Sequence, residues 1–299
     1  MQIHPLKYLS ELTDRIVKGG GLIFTGTHVK EVHGGRSAHV RTGFGHRVSC
    51  NSVVVATNTP VNDLFAIHTK QAPYRTYVLG FEIPQGSVEH ALFWDTLDPY
   101  HYIRVEKGTS AAGEILIVGG EDHKTGQDDH PEMRFENLEA WTRERFSMAK
   151  DVVYQWSGQV MEPVDGLAYL GHNPLDRNNV YVITGDSGNG MTHCTIGAML
   201  ITDQIMGREN RWEELYNPSR ISLKAAPEFI RENANVAAQY GDWFSSKPRP
   251  NFPDLAHGEG TVFRDGVKMV AACKDESGKV EFISAACTHL GGVVAWNGV

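Results

Sequence analysis

Two stretches of this chain carry residue types at spacings that could do chemistry. The first, Gly185-Asp186-Ser187-Gly188-Asn189-Gly190-Met191-Thr192, follows the apolar run Val180-Tyr181-Val182-Ile183-Thr184. A strand that opens into a Gly-rich turn and then a helix aims backbone N–H groups outward, and the helix macrodipole adds about half a positive charge there. Such a turn can take an anion or the polar edge of a flat ring. It can equally be a β-to-α turn with no ligand, and local pattern alone does not separate the two. The second stretch is Cys287-Thr288-His289-Leu290-Gly291-Gly292. One thiolate and one imidazole in a loop that glycines let curl are what each of two loops gives to a [2Fe–2S] centre held by two Cys and two His. Cys287 and His289 would be two ligands of four. The expectation is a second ligand loop in a longer protein and no stable cluster on this chain alone; the plainer reading is a core Cys beside a surface His.

The elements that position these stretches can be read from periodicity. Leu6, Leu9, Leu12 and Ile16 mark one face of a helix that stops at Gly19-Gly20-Gly21. Strands are expected at 21–26, 38–42 and 47–50. A buried run at 52–56 then opens into Thr57-Asn58-Thr59-Pro60, and the carboxyl end of such a strand is where open α/β sheets bind ligands. Residues 74–118 read as mainly β, with strands at 74–81, 91–94, 101–105 and 114–118. Residues 131–150 read as an amphipathic helix that turns Phe135, Leu138, Trp141 and Met148 to a core. A strand at 180–184 leads through the Gly-rich turn into a helix that ends before Gly207. Residues 217–254, rich in Pro, Asn and Ser, read as a linker. Strands at 261–264, 267–273 and 280–284 indicate a small β domain. The fold class is therefore α/β (α+β) with a β-rich region, divided into domains 1–216 and 255–299 joined by the linker 217–254.

Composition narrows the function. With 299 residues and 41% hydrophobic content the chain can bury a substantial core. A net charge of −8 and no basic run argue against nucleic acid, whose phosphates need clustered Lys and Arg. No apolar run approaches the roughly 18 residues of a membrane span. Four scattered cysteines and no signal-like start place the expectation in the cytoplasm with reduced thiols. The polar set Glu121, Asp122, His123, Asp128, Asp129 and His130 matches no zinc spacing and reads as a solvated turn.

The segment from Thr184 through His193 resembles the carboxyl-terminal flavin-contacting stretch of D-amino-acid-oxidase-like FAD-dependent oxidoreductases, and 53–58 resembles their strand returning to the cofactor. Residues 94–104, 119–126 and Trp156-Ser157-Gly158-Gln159 are similar to a branch that carries a carboxyl-terminal Rieske domain. The resemblance spans nearly the whole chain. It implies FAD, with Thr57, Asn58 and the residues from Gly185 to Thr192 as contacts, and a sheet on which Tyr102 and His123 line the active site. It implies hydride transfer from a C–N bond to the flavin, and a Rieske [2Fe–2S] cluster as onward electron carrier in the complete protein. The family's Gly-x-Gly-x-x-Gly fingerprint is absent from these residues, so it is expected upstream. Where amino-acid oxidases of this type place an Arg for the substrate carboxylate, this chain has Gln159-Val160-Met161-Glu162-Pro163-Val164-Asp165-Gly166. That points to a small-molecule amine rather than an amino acid as substrate, and the Rieske resemblance implies a possible electron-transfer partner. A Rieske-type electron-transfer module and a non-catalytic interaction fragment remain the alternatives.

Overall fold

The computed structural model describes residues 3–62, 67–107, 113–127, 130–221, 248–286 and 292–296. In chain order the elements are α1 (Pro5–Lys18), β1 (Val29–His33), β2 (His39–Thr42), β3 (Arg47–Ser49), β4 (Val53–Val55), β5 (Gln71–Pro84), β6 (Phe93–Trp94), β7 (Tyr102–Lys107) and β8 (Gly113–Lys124). They continue with α2 (Pro131–Arg145), β9 (Val152–Pro163), β10 (Tyr169–His172), β11 (Val180–Thr184), α3 (Gly190–Ile205), α4 (Glu213–Tyr216), β12 (Gly260–Asp265), β13 (Lys268–Lys274) and β14 (Val280–Ser284). The chain divides into one unit of Met1–Gln71 with Met161–Ala225 and another of Ala72–Val160 with Ala226–Val299.

The first unit is built around two short apolar strands. Val53 and Val55 of β4 pair in parallel with Val180 and Val182 of β11, and all four are buried. Each buried valine contributes about 1.5–3 kcal/mol, so β-branched runs with no other place to go drive this pairing. β10 adds antiparallel on the other edge of β11. Helix α3 lies close against the sheet because Gly197 has no side chain: a Cβ there would sit 2.9 Å from Ile183 Cδ1. A second antiparallel sheet, β1-β2-β3, packs Val32 and Val40 on the valine cluster.

The second unit holds a five-stranded sheet in the order β6-β7-β8-β5-β9. One face carries Tyr77, Leu79, Phe81, Ile83, Ile103, Val105, Leu116 and Val118, which with Phe135 and Leu138 of α2 form the largest core. A separate antiparallel sheet, β12-β13-β14, follows. Trp296 packs flat on its first strand, where a Cβ on Gly260 would meet the indole at 2.2 Å.

Several expectations need correction. Residues 21–26 form no strand, and Leu22, Ile23 and Phe24 are exposed; β1 lies further on, in a polar stretch whose strand character comes from pairing with β2. Helix α2 ends at Arg145 rather than Lys150. β9, unexpected from its sequence, is a full strand. Glu121, Asp122 and His123 belong to β8 and not to a solvated turn, because β5 continues far enough to pair with His123 and Lys124. Asp128 and Asp129 lie outside the described residues.

Candidate functional site

The parallel pairing of β4 and β11 ends both strands side by side, and the two loops expected to touch a cofactor leave from those ends. Asn58 turns with φ +62, and its carbonyl accepts a hydrogen bond from the Thr184 hydroxyl. The Gln71 amide lies 3.1 Å from the same hydroxyl. Thr57 Oγ1 donates to the Thr59 carbonyl at 2.7 Å, tightening the first loop. In the second loop Gly185, Ser187 and Gly188 all have positive φ, at +69, +49 and +73. Gly185 is held close, since a Cβ would meet Gln71 Oε1 at 3.1 Å and Tyr169 at 3.2 Å. Gly188 has nothing within 4 Å of a Cβ position and faces open space.

Ser187 is pinned on both sides. Its N–H donates to Met161 O at 3.2 Å and its hydroxyl to Glu162 Oε2 at 2.5 Å. Asn189 Nδ2 donates to Ser187 O, and His193 Nδ1 donates to Asp186 O. Helix α3 begins at Gly190 with no side-chain cap, so the amides of Gly190, Met191 and Thr192 open the helix without one. The Asp186 carboxylate lies against Gly190, 2.7 Å from a Cβ position there. With the Asp186 and Glu162 carboxylates at the turn, a phosphate would meet two acidic groups, whereas N–H groups of a neutral ring would meet acceptors. Glu162 and Gln71 were not marked by the sequence as site residues. Their role depends on strands that meet only in the folded chain.

On the five-stranded sheet Tyr102 and His123 are placed on opposite faces. Tyr102 pairs across from Gly119, and its ring lies over that glycine: a Cβ would be 2.0 Å from Tyr102 Cζ. The phenol reaches Thr76 Oγ1 at 3.3 Å. Burial pushes its pKa up, Asp122 adds to this, and the Thr76 bond opposes it, so the phenol is neutral near pH 7. His123 instead turns to the α2 face, where Nε2 accepts from Tyr77 Oη at 2.9 Å while Nδ1 donates to Lys124 O at 3.0 Å. Both ring nitrogens are committed. The cause is a β-bulge, in which β8 takes four residues from Gly120 to His123 against three from Tyr77 to Arg75 on β5, and Glu121 adopts φ +57.

The sequence reading missed His101, which is buried on the α2 face under Gly120 and stacked on Trp141 at 4.0 Å. Asp95 accepts from its Nδ1 and its backbone N–H, both at 2.8 Å. Burial raises the Asp95 pKa, but these bonds outweigh it and hold the carboxyl below its usual range. Cys287 and His289 lie outside the described residues. The flanking Ala286 and Val293 form a β-bridge, and Val294 N donates to Ala285 O at 2.8 Å. Among the described residues no group of three or more His, Cys, Asp or Glu could hold a metal ion, and no helix is long and apolar enough to cross a membrane.

Known proteins match this arrangement. Residues 1–204 match the DAO family model, described as FAD dependent oxidoreductase. The chain belongs to this family. A Bacillus subtilis (strain 168) protein with the provisional name Rieske 2Fe-2S iron-sulfur protein YhfW is 29% identical over 299 residues, 99% of this chain and 58% of that one. The chain thus spans little more than half the length of this relative. Glycine oxidase from Geobacillus kaustophilus aligns with a TM-score of 0.56 at 19% identity, covering 69% of this chain and 55% of that one. NikD, an unusual amino acid oxidase essential for nikkomycin biosynthesis, aligns with a TM-score of 0.58 at 16% identity over 72% of this chain and 60% of that one. These likenesses establish a mixed α/β FAD-oxidoreductase fold. Family membership also names the cofactor, FAD, and the open Gly188 backbone between two strand-end loops fits a flat ring edge approached by main-chain amides.

Proposed function

We propose that the protein is an FAD-dependent oxidoreductase that oxidises a C–N bond of a small-molecule amine. The observation that carries this is the parallel β4–β11 pairing, which brings Thr57 and Asn58 to the turn from Gly185 to Gly190 and the start of α3. In this reading Thr57, Asn58, Gly185, Asp186, Ser187, Gly188, Asn189, Gly190, Met191 and Thr192 hold the flavin edge. When bound, the flavin supplies a two-electron acceptor for a hydride from the carbon beside the amine nitrogen. The chain's own residues do the rest. The main-chain N–H groups at the start of α3 favour negative charge, Gly188 admits close approach, and Glu162 fixes Ser187. On the five-stranded sheet Tyr102 offers a neutral phenol on the face turned away from α2, whereas His123 holds the Tyr77 hydroxyl on the α2 face.

The substrate is an amine without an α-carboxylate. Residues 159–166 contain two acids and no Arg, and Arg220, which reaches Asp165, is bound to it bidentately at 2.7 Å through Nε and Nη2. Residues 1–216 form the oxidoreductase domain, 217–254 the linker and 255–299 the start of a Rieske domain, in which Cys287 and His289 ligate a [2Fe–2S] cluster that serves as electron-transfer partner in the longer protein. Support for the last point is the Cys-x-His loop with its bridged base and the name of the B. subtilis relative.

The test is anaerobic mixing of flavin-loaded protein with matched pairs of amine and amino acid. Amines should bleach the flavin with the higher second-order constant, since an unpaired carboxylate costs several kcal/mol on burial. Bleaching by amino acids in preference to amines would refute the substrate assignment, and bleaching by neither would refute the reaction.

A further inference from the structure

A second polar site opens beside the three-stranded sheet β1-β2-β3. Val32 and Val40 turn inward onto the valine cluster, so the cross-strand sets Glu31, Arg41, Arg47 and His33, His39, Ser49 share the outer face. At one end of that face Arg36, Ser37, Arg47, Ser49 and Asn51 line an open pocket of about 480 Å³ over the buried Ala38. Asn51 precedes β4 whereas Thr57 and Asn58 follow it, so this pocket and the flavin loops lie at opposite ends of that strand.

The pocket's two walls are tied together before any ligand arrives. Asn179 Oδ1 accepts from Gly35 N at 2.7 Å, and its Nδ2 donates to Gly35 O at 3.0 Å and to Asn51 O at 2.7 Å. Cys50 N donates to Ala38 O at 3.0 Å. The Arg177 stem lies along the same turn, its Cβ 2.7 Å from where a Cβ on Gly34 would stand. A site fixed in this way has little left to order on binding.

Charge selects the ligand. Of the acids beside the pocket, Glu31 is taken by Arg41 and His33, each at 3.2 Å, and Asp176 accepts from Asn62, Asn173 and the Arg177 N–H. Arg36 and Arg47 meet no carboxylate among the described residues. Arg47 Nη2 stands 3.3 Å from His39 Nδ1, which already donates to Ser37 O at 2.8 Å; the guanidinium thus faces another donor and its fork stays unfilled. His33 stacks on His39 at 4.5 Å, so no acid enters from that side either. In a chain of net charge −8, two unmatched guanidinium groups with two hydroxyls and an amide around one cavity are a local concentration of anion donors. Planar forks pair bidentately with phosphate oxygens, and the volume falls in the range of small-molecule sites. We infer that this pocket binds the phosphate group of a small phosphorylated molecule, with Arg36 and Arg47 on the phosphate oxygens. The site is separate from the flavin edge and stands whether or not the amine-oxidase reading holds.

Glycerol 3-phosphate, glycerol and sulfate are the probes, titrated calorimetrically against the 299-residue chain at low ionic strength. Glycerol 3-phosphate should bind and glycerol should not; sulfate should bind more weakly, since nothing on it fills the rest of the pocket. Arg36→Met and Arg47→Met should each weaken the phosphoester about tenfold or more, the loss of a charge-assisted hydrogen bond. Arg47→Lys should restore only part of this, because the charge returns without the fork. Arg41→Met, whose guanidinium is engaged by Glu31, should change affinity by less than about threefold. Both pocket arginines are exposed, so circular dichroism should stay as in the parent. Unchanged affinity in both Met variants would overturn the inference, and so would sulfate binding as tightly as the phosphoester, which would make this an unselective anion site. Displacement of glycerol 3-phosphate by FAD would also overturn it, because the pocket would then be a seat for the cofactor's own phosphates.

Discussion

Gly119→Ala offers a test of the Tyr102 platform whose size can be worked from geometry. The added methyl would sit 2.0 Å from Tyr102 Cζ, 2.3 Å from its hydroxyl oxygen and 2.4 Å from Cε2. These distances forbid coexistence, and because the clashing atoms are the far end of one side chain, the ring swings away and the strand stays. Leaving its place breaks the 3.3 Å contact with Thr76, which contributes about 0.5–1 kcal/mol. Re-exposing on the order of 50 Å² of ring at about 25 cal/mol per Å² costs about 1.3 kcal/mol more. Alanine returns about 0.5–1 kcal/mol by restricting the unfolded chain. The single variant should therefore lose about 1 kcal/mol. In a Tyr102→Ala background the clash is gone and the same substitution should stabilise by about 0.5–1 kcal/mol. The coupling energy is thus about 2 kcal/mol, read from urea denaturation of the four proteins of the cycle. Equal cost of Gly119→Ala in both backgrounds would show that the ring does not occupy the place above Gly119.

Further expectations follow from other contacts. Gly188→Val in the longer protein should abolish flavin retention and leave the circular dichroism intact, since a branched residue disfavours φ +73 and projects into the open space over the turn; normal flavin content would reject that turn as a contact. Burial raises the Asp165 pKa, but the Arg220 fork outweighs it and holds the carboxyl below its usual range. A lowered folded-state pKa stabilises above the unfolded value of about 3.9 and is lost as pH falls through the folded value. Asp165→Asn should therefore be less stable by about 1–3 kcal/mol at pH 7, with the gap to the parent closing in acid below about pH 4; a gap independent of pH would refute the ion pair. His123→Phe leaves the buried Tyr77 hydroxyl without its acceptor and should cost about 1–3 kcal/mol of stability. Amine affinity should not change, and an affinity loss without a stability loss would return His123 to the substrate side.

The sequence by itself determined the local pieces. Continuous β-branched runs made 53–55 and 180–184 strands, since valine is stiff at χ1 and suits a pleated, buried surface. The glycines after Thr184 demanded positive φ, and α3 was bounded by the turn before Gly190 and by Gly207 after it. Membership of a flavin-binding family was also legible, because it is carried by short motifs in order along the chain. Tertiary structure alone decided which pieces meet. Parallel pairing of β4 with β11 joins segments far apart in sequence, so nothing local announces that Asn58 will accept a bond from Thr184 or that Glu162 will pin Ser187. The facing of side chains was decided there too. Gly119 and His123 stand an even number of residues apart, and a regular strand would put His123 with Tyr102. One extra residue in β8 reverses the alternation, sends His123 to the α2 core and leaves Asp122 beside the phenol. A strand's side-chain period is two, so a single bulge rewrites the membership of a site while the sequence on either side looks unchanged.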